Sequence, residues 1–210
     1  DALPPSVPVT VKMRRGVDDG QESRDDFFTI FDGAFRLGVT AITVHGRTVR
    51  QKYEGASSWD FLREVKRHAG DHTVLGSGDL FTARACLDML AQTGVDGVTA
   101  ARGAIGNPWI FQQARALAEG RPFSPPSLPQ QREVLAEHFR LAEQPYAPSR
   151  CCPLMRKFGI KYSRLHPRAE EVRAAFVAVR NPGQWHEVLE TWYCEAGPRP
   201  PRWGKSGTEA

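Results

Sequence analysis

Cysteine is scarce in this chain of 210 residues, and long apolar runs are missing altogether. The four cysteines, Cys86, Cys151, Cys152 and Cys194, make no framework of spaced pairs, and none shows the two-residue gap of a zinc knuckle. That spacing argues against a disulfide scaffold or a structural metal and for reduced thiols in a cytoplasmic protein. No apolar stretch approaches the roughly 20 residues a membrane-spanning helix needs, and no secretory leader pattern opens the chain. No GxGxxG follows the first β-like run, which removes the dinucleotide-binding fingerprint. An initiator Met is also missing, and the opening DALPPSVPVT reads as a sequence entered partway.

What is present is a repeated unit. Four short β-like runs, PVTVKMR (8–14), AITVHGR (41–47), HTVLGSGD (72–79) and GVTAARG (97–103), are rich in Val, Ile and Thr. A helical pattern follows each run. The first, about 22–37, places Phe27, Ile30, Phe31, Ala34 and Phe35 on one stripe. The second starts near Ser57 or Ser58, the third at Thr82, and the fourth with Asn107 as cap and Pro108 at the first helical position. Gly38, Gly70, Gly94 and Gly120 stand where the four patterns stop, each suited to left-handed backbone. Strand, helix and strand with crossovers this long imply a parallel sheet.

An open doubly wound sheet and a (β/α)8 barrel both fit that order. The polar residues favour the barrel. Lys12, His45 with Arg47, Gly78 with Asp79, and Arg102 with Gly103 all fall at strand carboxyl ends, the face on which barrels build their sites. Four strands make half a barrel, so residues 1–124 read as half of a (β/α)8 TIM barrel. The proline-rich RPFSPPSLPQQ (121–131) then reads as a linker. Beyond it, helical patterns near 130–144, 150–164, 168–180 and 182–193 predict an all-α domain over 125–195, with a disordered tail at 196–210. Half a barrel would also leave two sheet edges, and apolar side chains meant for missing strands, uncovered.

Charge divides along the same line. Residues 1–124 hold 15 Lys/Arg and 15 Asp/Glu, whereas 125–210 hold 13 and 9 and supply the whole net charge of +4. On a helix over 150–164, Arg150, Lys157, Lys161 and Arg164 fall within roughly 60° of one another. Such a row suits a nucleic-acid backbone, or else a solvated face with distant counter-ions. Arg102, between small residues and ahead of a helix start, offers a planar fork of donors for phosphate, and GSGD (76–79) repeats the arrangement one unit earlier. The plainer alternative is that the glycines only make turns and Arg102 pairs with an acid.

VTVKMRRG, ITVHGRTVRQKYEGASSWDFL, GSGDL and ARGAIGNPWIF, in this order, resemble the tRNA-dihydrouridine synthases, and LMRKFGIKYSR is more loosely similar to that family's helical-domain signature. The resemblance implies an FMN-binding barrel with a tRNA-binding helical domain, reducing uridines in tRNA to dihydrouridine with NADPH as reductant. It also implies that residues 1–124 are the C-terminal half of that TIM barrel. On this resemblance Lys12 and His45 meet the flavin ring system, and Ser77, Gly78 and Asp79, with Ala101 and Arg102, serve its phosphate side. Arg47 and Arg50 line the substrate cleft, and Arg156, Lys157 and Lys161 face the RNA. Serine at 77 stands where the family usually has Asn, and alanine at 101 where it often has Gly. The family's catalytic cysteine belongs to a motif before VTVKMRRG, so the isolated chain is expected to be inactive. Two other functions fit parts of the pattern: a non-catalytic RNA-binding remnant, and a different FMN barrel acting on a small molecule.

Overall fold

The computed structural model describes residues 4 and 6–194. They form two compact units: one holds the chain to Ala104 together with Ile110–Arg121, the other holds Ile105–Trp109 and the chain from Pro122. The tail expected at 196–210 lies outside the described residues.

The first unit alternates β1 (Thr10–Arg14), α1 (Gln21–Arg36), β2 (Ala41–His45), α2 (Trp59–Ala69), β3 (Thr73–Ser77), α3 (Ala83–Thr93), β4 (Gly97–Val98) and α4 (Ile110–Ala118). Its strands pair in parallel in sequence order, β1-β2-β3-β4. Local chemistry explains the boundaries. Ser58 caps α2 by accepting from Phe61 N–H, and Thr82 caps α3 by accepting from Ala85 N–H. Gly38, Gly70, Gly94 and Gly120 all adopt positive φ beyond the helices they end.

Core packing decides between the two sheet architectures. Ile42, Val44 and Val74 join Phe27 and Phe31 of α1, Phe61, Leu62 and Val65 of α2, Met89 of α3 and Ile110 of α4 in one buried cluster. Strand side chains alternate between faces. All four helices therefore cover the same face of the sheet, where a doubly wound sheet would carry helices on both. This is the arrangement of half a (β/α)8 barrel. The opposite face is more polar than expected: Thr10, Lys12, Thr43 and Thr73 share it with half-buried Leu75. Exposed apolar side chains include Val7 and Val9 ahead of β1 and Tyr53 and Phe81 in the loops beyond β2 and β3.

Two boundaries differ from expectation. β4 is two residues long, and α4 begins at Ile110 rather than Pro108. For α4 the reason is tertiary: Ile105–Trp109 belongs to the second unit. Gly106 has φ +82°, and a Cβ on it would lie 2.5 Å from the Lys161 carbonyl carbon.

The second unit contains α5 (Leu128–Glu143), α6 (Pro148–Tyr162), a 3-10 turn at Ser163–Leu165, α7 (Ala169–Ala178) and α8 (Pro182–Trp192). A capping box between Ser127 and Gln130 starts α5, so the proline-rich stretch ends in a defined helix start. Its core gathers Phe139, Cys151, Cys152, Met155, Phe176, Trp185 and Tyr193. The adjacent cysteines are thus buried free thiols that act as small apolar residues.

Candidate functional site

Strand register builds the site. Arg14, His45 and Ser77 are paired in line across β1, β2 and β3, and Lys12 sits one pleat below them on the same face. His45 Nδ1 and Ser77 Oγ are 3.3 Å apart. Together with Met13, Tyr53, Ala101 and Arg102, these residues line an open cavity of about 380 Å³. A small recess of about 30 Å³ adjoins at His45, Ser77, Ala101 and Arg102, and adds Gly78, Asp79 and Gly103. All seven residues expected to serve a cofactor, Lys12, His45, Ser77, Gly78, Asp79, Ala101 and Arg102, therefore lie around one place.

The cavity is cationic. Partial desolvation, then the Arg14 charge, lowers the pKa of Lys12. Burial first, then Lys12, Arg14 and Arg47, pulls His45 below its ordinary value, with Asp79 opposing. His45 is thereby biased toward neutral imidazole. Arg102 packs under two aromatic rings, 4.6 Å from the Tyr53 centroid and 5.0 Å from that of Phe81. Among the described residues no carboxylate lines the cavity itself, and Asp79 borders the adjoining recess. A volume in the usual range for small-molecule sites, walled by Lys12, Arg14, Arg102, His45 and the Ser77 hydroxyl, fits an anionic ligand group.

Asp79 and Arg47 are joined to each other. Arg47 is 3% exposed, and its Nη2 donates to both Asp79 oxygens at 2.8 Å. Its Nε and Nη2 also reach Gly55 O. Burial raises the Asp79 pKa, but the Ser57 N–H, Arg47 and Arg102 outweigh it and leave the carboxyl below its usual range. Among the described residues, Arg47 Nη1 is left buried without a hydrogen-bond partner, while both Asp79 oxygens are taken up within the protein. The suggested acid partner of Arg102 is real: its Nη2 lies 3.2 Å from Asp79 Oδ1. Arg50 remains on the surface, paired with Asp18 at 2.7 Å.

Sequence reasoning passed over Arg14 and Tyr53. Arg14 was recoverable, since it shares Lys12's face by simple alternation; its Nη1 donates to Thr48 O at 2.8 Å. Tyr53 comes from a turn and carried no periodic signal.

In the second unit, Arg150, Lys157, Lys161 and Arg164 are all exposed. Among the described residues, no carboxylate forms an ion pair with any of the four, whereas Arg140 pairs with Glu137 and Arg168 with Glu171. Arg164 instead donates to the carbonyls of Lys161 and Ile105. Arg156 does not join them. It is half-buried, and its Nη1 donates to Val179 O at 3.4 Å.

The sequence profile described as dihydrouridine synthase (Dus) matches residues 1–196. The chain belongs to the dihydrouridine synthase family. A probable tRNA-dihydrouridine synthase of Mycobacterium leprae is 34% identical over 175 residues, covering 83% of this chain and 45% of the relative. One from Rickettsia conorii is 35% identical over 188 residues, 89% of this chain and 56% of the relative. One from Treponema pallidum is 34% identical over 161 residues, 75% and 46% respectively. This Dus chain spans about half the length of the curated relatives it matches. A solved chain of the Salmonella typhimurium RcsB response regulator aligns with 87% of it and 97% of itself, at a TM-score of 0.30 and 14% identity, too slight a likeness to carry an argument.

Proposed function

We propose that this chain supplies the anion-gripping half of an FMN site and an RNA-binding helix to a tRNA-dihydrouridine synthase, which reduces uridines in tRNA with NADPH as reductant. One observation carries the reading: Lys12, His45, Ser77 and Arg102, from four successive βα units, converge on one carboxylate-free cavity. Arg102 and the Ser77 hydroxyl would hold the phosphate end of FMN, and Lys12 with neutral His45 would meet the electron-rich edge of its ring system. Bound FMN would supply a two-electron store that uridine reduction draws on.

The chain's own groups orient and bind. The Arg102 fork gives directional contacts, and its aromatic neighbours Tyr53 and Phe81 limit its freedom. Uracil reduction also needs a proton donor, which the family resemblance assigns to a cysteine. None of Cys86, Cys151, Cys152 or Cys194 lines the cavity, and burial pushes the first three thiols up. None of these thiols is therefore placed to act as that donor. The uncompensated cations of α6 provide the RNA contact, with Lys157 and Lys161 foremost, and they favour a polyanionic substrate over a small molecule. FMN titration followed by flavin fluorescence tests the cofactor assignment. Wild-type binding with at least tenfold weakening in Arg102→Gln supports it; equal affinity in the two proteins refutes it.

A further inference from the structure

Asp79 is spent inside the protein. Its two oxygens share Arg47 Nη2 at 2.8 Å, Oδ2 also takes the Ser57 N–H at 2.8 Å, and Oδ1 takes Arg102 at 3.2 Å. Arg47 binds Gly55 O as well, so the loop after β2 is closed onto the residue just beyond β3. Asp79 holds φ at +58°, a conformation that asparagine and aspartate tolerate better than most residues and that surrounding contacts must sustain.

The closure places Ser57 over two glycines. A Cβ on Gly46 would lie 2.5 Å from Ser57 Oγ, and one on Gly78 only 2.1 Å from it. The same Gly78 position abuts His45, whose Cε1 would stand 3.4 Å from that Cβ. Ser57 Oγ also reaches Ser77 O at 3.5 Å. One carboxylate thus fixes the serine against which the Gly78 turn and the His45–Ser77 pair are packed.

We propose that Asp79, with Arg47, is a positioning residue of this site, setting Ser57, the Gly78 turn and the His45–Ser77 pair while parking Arg102 until an anion takes that guanidinium. Neither residue touches the ligand. The parking of Arg102 rests on the proposed anion grip; the positioning of His45 stands without it.

The test uses the whole chain, with inorganic phosphate as probe and NMR as readout. Asp79→Asn keeps the side-chain shape and removes the charge that competes for Arg102. Phosphate binding should tighten several-fold, whereas Arg102→Gln should weaken it at least tenfold. The Ser57 amide should shift in Asp79→Asn. His45, left with Lys12, Arg14 and Arg47 as charged neighbours, should titrate at lower pH. Phosphate binding weakened in Asp79→Asn as much as in Arg102→Gln would mean that Asp79 holds Arg102 ready for the anion instead of parking it, and would overturn the proposal. So would unmoved Ser57 and His45 signals. If Asp79→Asn fails to fold, Arg47→Lys decides: it keeps the charge but not the planar fork, and must shift the same two signals. A wild type that binds no phosphate would sink the anion grip and the parking of Arg102, while Ser57 and His45 still report on positioning.

Discussion

Replacing Arg150, Lys157, Lys161 and Arg164 together by glutamine gives the sharpest test of the RNA reading. Glutamine has nearly the helix propensity of Arg and Lys, and Arg150, Lys157 and Lys161 are exposed on α6. The helix should therefore persist even though Arg164, in the 3-10 turn, gives up its bonds to Lys161 O and Ile105 O. If each cation neutralises one phosphate, the slope of log affinity against log salt should flatten by about 3 to 4, using about 0.7 per contact for single strands and 0.9 for duplex. Over a fourfold rise in salt, that removes about 50- to 150-fold of salt sensitivity. Filter binding of tRNA at three KCl concentrations between about 50 and 200 mM would read the slope, the range in which such contacts show. Circular dichroism would verify the helix content. Arg140→Gln serves as control, because Arg140 is already matched by Glu137 through two bonds. A quadruple variant whose slope stays within about one unit of wild type would refute the row as a phosphate track.

Three further outcomes are expected. Gly159→Ala should lower stability by about 1–3 kcal/mol in urea denaturation, since its Cβ would enter the fully buried Phe176 ring at 2.4 Å; an unchanged midpoint would contradict this packing. Asp96→Ala should cost about 1 kcal/mol by removing the acceptor shared by Lys66 Nζ and Val74 N–H, again checked by denaturant midpoint. His45, His138 and His166 all have pKa values lowered chiefly by burial, so below about pH 6.5 the unfolded chain binds more protons than the folded one. The melting temperature should therefore fall between pH 7.5 and pH 5.5 by calorimetry; a flat or rising profile would contradict the burial of these imidazoles.

Much of the fold was legible because its signals are local. The caps at Ser58 and Thr82 and the glycine stops need only a few neighbouring residues to act, and each does so here. The site was legible insofar as strand ends share a face, which united Lys12, His45 and Ser77. Long-range partnerships were not. Nothing near Arg47 announces an aspartate 32 residues away, and the family resemblance set Arg47 at the substrate cleft instead. Asn107-Pro108 looks like a helix start, but tertiary packing claims residues 105–109 and delays α4 to Ile110. Arg156 falls roughly 120° from Arg150 around the helix, so periodicity alone separates it from the row. The family resemblance, not the wheel, had placed it with the cations.

The strap at Ile105–Trp109 has a consequence for dissecting this chain. The backbone changes unit three times, after Ala104, Trp109 and Arg121, so no single cleavage yields two intact pieces. A fragment beginning at Pro122 would lose the five residues of which Gly106 seats against Lys161 and Ile105 accepts from Arg164. Its α6 would start life without a native brace. Limited proteolysis at the 121–122 junction should accordingly produce a nicked species that stays together on gel filtration and separates only in denaturant.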